Sequence, residues 1–256
     1  MLEVSAAVVM YGGAKDVRQC LNSLNTQTKG CNLCVYLVDN ASPDGALATL
    51  EQEGLPPNVT VLPQPQNLGF GRGHNTVLPL LQSRYHAVVN PDIVVTADTL
   101  TDMAAWMDAH PDVAIATPGL VFPGGQPQHI GKRKPALLPL LARQTGLKCL
   151  KKYEDHYLML DEDLSKPIDV EFCSGSFFMM PTEIFKKIGG FDEKYFMYVE
   201  DADITQKALQ HGRAVYLPQF TVVHAWHRAA HRQLRQFVWQ LRSMLRYFGK
   251  WGFRLK

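Results

Sequence analysis

The sequence predicts an α/β domain built on a mainly parallel sheet with helices on both faces. Three observations lead there. Apolar, β-branched runs recur at residues 4–10, 33–38, 59–62 and 86–89, too uniformly apolar for strands with one wet face. Segments of helical period alternate with them, the order in which parallel sheets are wound. Each run is also closed by a polar or glycine-rich turn.

The first run ends at Tyr11-Gly12-Gly13, after which Val17, Cys20, Leu21 and Leu24 fall on one helical face. The second is closed by Asp39-Asn40-Ala41-Ser42-Pro43-Asp44-Gly45, a stretch of turn formers and helix caps leading into a helix through Glu53. A strand at 59–62, a helix from about His74 to Ser83 and a strand at 86–89 continue the alternation, followed by a helix at 101–109 and a strand at 113–117. Residues 119–168, rich in proline and glycine and weakly periodic, predict a loop excursion within one domain. Order returns with a strand at 170–180, broken by the small residues Ser174, Gly175 and Ser176, and a short helix at 182–188. The expected organisation is one domain over 1–226 and a C-terminal helix over 227–256.

A chain of 256 residues, 46% apolar and 20% charged, can bury a full core. No stretch is apolar for long enough to span a bilayer, and the start of the chain lacks a signal-peptide layout, so a cytoplasmic protein is expected. Five cysteines without framework spacing argue against a disulfide scaffold, and the lone pair Cys31 and Cys34 reads as small buried side chains. The net charge of +2 hides an asymmetry: residues 204–256 hold 10 Lys/Arg and no acid, against a balance of −8 before them. The basic end calls for an anionic partner, and nothing resembles a nucleic-acid-reading module.

The densest chemistry lies in GGFDEKYFMYVEDADI at 189–204. Aromatics lead into Glu200, Asp201 and Asp203, and such crowding raises the pKa of at least one carboxylate toward that of a useful proton acceptor. The same carboxylates also suit the first turn of a helix through Gln210. Functional groups in a parallel sheet collect beyond the strand ends, and those ends carry Tyr11, Asp39, Asn40, Asn90 and Asp92, which favours a nucleotide crevice. NLGFGRGHN at 67–75 is a glycine-rich turn opening a helix, where backbone and Arg72 suit an anion; its G-x-G-x-G spacing and position differ from a dinucleotide fingerprint. Asp92, stiffened by Pro91, can bind Mg²⁺ or Mn²⁺ if a diphosphate and water supply further oxygens.

Together VYLVDNASPDG, NLGFGRGHN, NPD, GSFF, GGFDEKYFMYVEDAD and SMLRYFGKWG, in this order, resemble the inverting GT-A glycosyltransferases of family 2, especially bacterial rhamnosyltransferases. The resemblance implies a Rossmann-like GT-A fold and a nucleotide-sugar donor. It gives Asp39 the base, with Tyr11 packed against it, and places Asn67, Arg72, Asn75 and Asn90 along the nucleotide and its phosphates. Asp92 stands where the DxD metal motif ends, with Asn90 in its first acidic place, and His224 completes the metal or diphosphate site. Asp201 is the implied catalytic base, with Glu200, Gly175 and Ser176 toward the acceptor. A His224 merely hydrogen-bonded at a strand end fits the residues equally well.

The charges at 228, 232, 235, 242, 246, 250 and 254 fall on one helical face and Leu234, Phe237, Val238, Leu241, Met244, Leu245, Phe248 and Trp251 on the other. The expectation is that the aromatics dock on the domain while the basic face and Lys132-Arg133-Lys134 meet lipid phosphates, at the inner face of the plasma membrane, beside a polyprenyl-diphosphate-linked acceptor. The donor expected is dTDP-L-rhamnose. A UDP-hexose or UDP-N-acetylhexosamine would use the same fold, a nicotinamide oxidoreductase would share the strand and helix alternation, and a non-catalytic carbohydrate- or membrane-binding module is the remaining alternative.

Overall fold

A single mixed sheet runs through the computed structural model, which describes residues 3–130, 132–225 and 234–255. The first half contains β1 (Val4–Met10), α1 (Ala14–Gln27), β2 (Leu33–Asp39), α2 (Ala46–Gln52), β3 (Val59–Pro63), α3 (Phe70–Asn75), β4 (Tyr85–Val89), β5 (Ile93–Val95) and α4 (Thr99–Asp108). The second contains β6 (Val113–Val121), β7 (Pro127–Gln128), α5 (Leu137–Thr145), α6 (Lys151–Tyr157), β8 (Ile168–Asp169), β9 (Phe177–Pro181), α7 (Thr182–Lys187), α8 (Glu200–Ala208), β10 (Arg213–His224) and α9 (Leu234–Trp251).

The sheet order is β3-β2-β1-β4-β9-β6-β10-β5. Its first four strands are parallel, as their sequences require: every residue of β1 and of β4 is buried. Antiparallel β9 then separates β4 from β6, so the other half is mixed. Helix α1 buries Val17, Cys20, Leu21 and Leu24, the stripe its period predicts. Each such side chain contributes roughly 1.5–3 kcal/mol, and losing Leu21 to alanine would cost about 2–5 kcal/mol.

Three expectations need correction. The helix expected from His74 to Ser83 begins at Phe70 and ends at Asn75, with a 3₁₀ turn at Leu78–Leu80; Pro79 has no N–H to continue it. Residues 119–168 are not a loop: they hold the end of β6, then β7, α5, α6 and β8. Arg133 ties them together, pairing with Asp161 and Glu162 at 2.6 Å each, and the first N–H groups of α5 bond to the carbonyls of Arg254 and Leu255. The strand expected at 170–180 is regular only over β9, because the chain before it turns to give the Gly175 N–H to Asp201.

Candidate active site

Parallel pairing brings the C-terminal ends of β1, β2 and β4 to one edge of the sheet, and the turns that follow are cross-linked there. Asp39 Oδ1 accepts the N–H of Ser42 at 3.0 Å and its hydroxyl at 2.5 Å. The Ser42 hydroxyl accepts the Gly12 N–H, and Asp44 accepts that of Gly13. Tyr11, 57% exposed, stands at the mouth of this turn.

Strand β9 runs back along β4, placing Ser176 beside Asn90: the Asn90 N–H donates to the Ser176 carbonyl at 2.9 Å. One residue earlier, the Gly175 N–H donates to Asp201 Oδ2 at 3.1 Å. Asp92 and His224 meet where β10 runs beside β5. The rim of the sheet thus brings together Asn90, Asp92, Gly175, Ser176, Asp201 and His224.

At that rim, Gln128 fixes the histidine. Its amide Nε2 donates to the His224 carbonyl at 3.0 Å, so its Oε1 must accept from His224 Nδ1 at 2.9 Å. His224 Nε2 then faces Asp92 Oδ2 at 3.4 Å. A carboxylate oxygen and an imidazole nitrogen are ligand types a divalent metal takes, and a protonated imidazole would pair with the carboxylate directly. Among the described residues no group of three or more His, Cys, Asp or Glu could hold a metal by itself.

Glu200 and Asp201 open α8 after Tyr198 and Val199, which both have positive φ, 71° and 67°. That conformation is costly for a β-branched valine, and such strain collects at functional sites. Burial, and then the neighbouring Asp201 charge, push the Glu200 carboxyl up to about 8. Burial raises Asp201 too, but Lys132 and the N–H groups of Gly175 and Ala202 pull it back. Burial thus favours the protonated form of Glu200, while two N–H donors and Lys132 favour the ionised form of Asp201, the state a base needs.

The glycine-rich turn is built differently from the anion cradle its sequence suggests. Gly69 has φ 83°, and a Cβ there would lie 2.3 Å from the Phe196 carbonyl oxygen, so the close approach is to this chain's own backbone. Asn67 Oδ1 accepts the Gly69 N–H at 2.9 Å. Both ends of the Asn75 amide bond to the Phe191 backbone at 2.9 Å, and Gly190 leaves the space that amide needs. Arg72, half exposed, pairs with Glu193 at 3.4 Å. Asn75 and Arg72 thus hold the loop before α8.

The larger hollow, of about 610 Å³, is lined by Tyr85, Val113 and Pro181, at the opposite ends of β4, β6 and β9, and holds none of these residues. A smaller cavity of about 190 Å³ has Asp201 in its lining.

Comparison with known proteins identifies this arrangement. The profile described as Glycosyl transferase family 2 matches residues 5–189, and one described as N-terminal domain of galactosyltransferase matches 156–231. The chain belongs to glycosyltransferase family 2. This family 2 glycosyltransferase is 28% identical over 260 residues to the N-acetylglucosaminyl-diphospho-decaprenol L-rhamnosyltransferase of Mycobacterium tuberculosis, covering 88% of this chain and 80% of that protein. It is 26% identical over 194 residues to the rhamnosyltransferase WbbL of Escherichia coli, covering 71% and 70%. Among solved structures, a mannosyltransferase of Pyrobaculum calidifontis in complex with GDP-Man and Mn²⁺ superposes with TM-score 0.65 at 18% identity, over 97% of this chain and 63% of that one. TarS of Staphylococcus aureus superposes at 0.62 and 20% identity, over 97% and 72%.

Sequence reasoning missed Gln128, whose partner is 96 positions away and which carried no signal. It saw Lys132 only as part of a basic cluster. That cluster is spent internally: Lys132 Nζ lies 4.4 Å from the Phe172 ring centre, Arg133 pairs with two acids, and Lys134 donates to the Trp251 carbonyl.

The faces of α9 follow expectation in part: Phe248 and Trp251 dock on the domain, whereas others differ. Arg246 and Lys250 turn inward to Asp192 and Asp203, while Phe237, Leu241 and Leu245 are exposed at 49%, 46% and 66%. Arg228, Arg232 and the side chains of Leu234 and Arg235 lie outside the described residues, as does the expected domain boundary at 226. No helix among the described residues is long and apolar enough to cross a membrane.

Proposed function

We propose that this glycosyltransferase moves L-rhamnose from dTDP-L-rhamnose, with inversion, to a hydroxyl of a lipid-linked glycan. The observation that carries the reading is the hydrogen-bonded bridge across β4 and β9, which holds the proton acceptor Asp201 to the same rim as Asp92 and His224.

In this reading Asp39 and Tyr11 bind the base and Asn67 supports the turn below it. Asp92 and His224 would hold a Mg²⁺ or Mn²⁺ ion, and the diphosphate would complete the ligand set, because no larger cluster of ligand side chains occurs among the described residues. The ion supplies positive charge to the departing diphosphate. Asn90 carries no charge, so it can position phosphate only by hydrogen bonding. Asp201 takes the proton of the incoming hydroxyl on the other side of the anomeric carbon, and attack in line with the leaving group inverts that centre. Neutral Glu200 donates a hydrogen bond to the acceptor, with Gly175 and Ser176 forming the floor.

The names of the mycobacterial and Escherichia coli relatives support rhamnose and, for the former, a polyprenyl-diphosphate acceptor. The exposed Phe237, Leu241 and Leu245, on a segment without a single acid, support attachment to the inner face of an anionic membrane.

Thermal unfolding with a panel of nucleotide sugars tests the donor. dTDP-L-rhamnose with Mg²⁺ or Mn²⁺ should raise Tm more than UDP-N-acetylglucosamine, the ligand named in one TarS structure. A larger shift with the UDP sugar would replace the donor, and no shift with any sugar nucleotide would contradict the reading.

A further inference from the structure

We propose that Ser243 of α9 is a positioning residue for the base, its hydroxyl fixing the strained turn from which Asp201 is presented. The inference rests on the reading of Asp201 as proton acceptor, and it gives a role to the motif SMLRYFGKWG at 243–252.

The backbone leading to Asp201 follows a course it would not take alone. Tyr198 and Val199, the two residues before α8, both have positive φ, a region that side chains with a Cβ rarely adopt and a β-branched one least of all. Two such residues in a row persist only where their surroundings impose the conformation. The carbonyls on either side show what imposes it. That of Phe196 accepts the N–H of Phe70 at 3.2 Å, from the start of α3, and that of Met197 accepts the Ser243 hydroxyl at 2.9 Å. Beyond the turn, the Val199 carbonyl accepts the N–H of Asp203 at 3.0 Å.

The Ser243 bond acts on the strain directly. A peptide unit is planar and turns as a whole, so rotating the Met197–Tyr198 unit changes ψ of Met197 and φ of Tyr198 together. Such a rotation would relieve Tyr198, and it would also swing the Met197 oxygen away from the hydroxyl. Ser243 is 5% exposed, which shields the bond from competing water. Its neighbours one helical turn apart on the same face of α9 hold it there. Trp239 packs on Phe196 with ring centres 4.6 Å apart, and Arg246 and Lys250 pair with Asp192 at 3.2 and 3.4 Å. One face of the helix thus grips residues 192–197. At the far end of the turn, Asp201 Oδ2 accepts the Gly175 N–H at 3.1 Å, a bond that a shift of about an ångström in the first turn of α8 would break.

The test compares wild type, Ser243→Ala, Ser243→Thr and Asp201→Asn. Transfer is measured from dTDP-L-rhamnose to N-acetylglucosaminyl diphosphate on a short polyprenyl chain, the chemistry in the mycobacterial relative's name. Ser243→Ala should lower kcat about 10–100-fold and leave the donor KM within about twofold of wild type, because the base is displaced while the donor's side of the rim is not. The ionisable groups around Asp201 are Glu200, Lys132 and Cys173, none of them on α9. The substitution therefore removes no charge, and an acid limb that moves reports a change in the surroundings of Asp201. Merely fewer folded molecules would lower the rate equally at every pH. Ser243→Thr keeps the hydroxyl and should return both kcat and the limb to near wild type. Hydrogen exchange over 197–203, which needs no transfer, should be faster in Ser243→Ala and restored in Ser243→Thr. Unchanged exchange, or an unmoved acid limb with a loss of rate that Ser243→Thr does not rescue, overturns the inference. Full transfer by Asp201→Asn would sink the proton acceptor itself, whereas an inactive Asp201→Asn beside an undiminished Ser243→Ala would overturn the role of Ser243 alone.

Discussion

Asp201 and Gly175 meet across the end of the sheet, the backbone N–H of the glycine donating to the carboxylate at 3.1 Å. The next residue, Ser176, accepts the N–H of Asn90 at 2.9 Å, so this carboxylate is tied to the Asp92 rim through backbone, a link that survives most side-chain changes.

Activity should depend on pH through the pair at the start of α8. Asp201 must be ionised to accept a proton, and its pKa is raised by burial and restrained by Lys132. As pH falls through that raised value the base is protonated and kcat/KM drops, at a pH above the ordinary aspartate range. Lys132→Met removes the restraint and should move this acid limb upward. Glu200→Gln should leave the acid limb in place and remove any change near pH 8, where Glu200 ionises. An acid limb indifferent to Lys132→Met would contradict the coupling.

Stability should also fall in mild acid. His74 and His86 are fully buried, and burial holds both well below the ordinary histidine range, His86 at about 3. Below about 6.5 the unfolded chain takes up protons that the native state refuses, so stability is present above that pH and is lost as pH falls toward the native values. Between pH 7.5 and 5.5 each histidine should cost about 1.4 kcal/mol. Urea unfolding of wild type and His74→Leu at the two pH values measures this, and equal slopes would contradict it.

Metal affinity should depend on a residue that cannot itself hold the ion strongly. Gln128 fixes the tautomer and direction of His224, and losing such an orienting partner typically costs 10–100-fold in affinity. Gln128→Ala should therefore raise the Mn²⁺ concentration needed for half-maximal transfer by about that factor. Unchanged metal dependence would show that His224 works without its support.

The Asp203 latch should hold α9. Asp203→Asn keeps an acceptor for Trp251 Nε1, so it should cost about 1–2 kcal/mol; Asp203→Ala leaves the indole N–H without one and should cost about 2–4 kcal/mol, the partly exposed Lys250 keeping Asp192 and water in both. Chemical denaturation gives both numbers, and equal costs would show that the indole bond contributes little.

What the sequence disclosed follows the range of the interactions involved. β1, β4 and the buried stripe of α1 were legible because burial writes a periodic apolar pattern into neighbouring residues. Gln128 and Lys132 were illegible in their roles because their partners His224 and Phe172 lie far along the chain. The bonds of Asn75 to the Phe191 backbone were illegible because a glycine-rich turn before an amide reads the same in sequence whatever that amide grips. On α9 the docking of Phe248 and Trp251 was legible, but the inward turn of Arg246 and Lys250 was not, because helical period leaves open which basic residues Asp192 and Asp203 draw inward.

The most direct measurement compares transfer and donor binding in Asp201→Asn. The amide can still accept the Gly175 N–H, at the loss of the Ala202 bond, but cannot take a proton, so kcat should fall about 10²–10⁴-fold while donor affinity stays within error of wild type and Tm falls only slightly. Transfer at the wild-type rate by a folded, donor-binding Asp201→Asn enzyme would contradict the account at its centre.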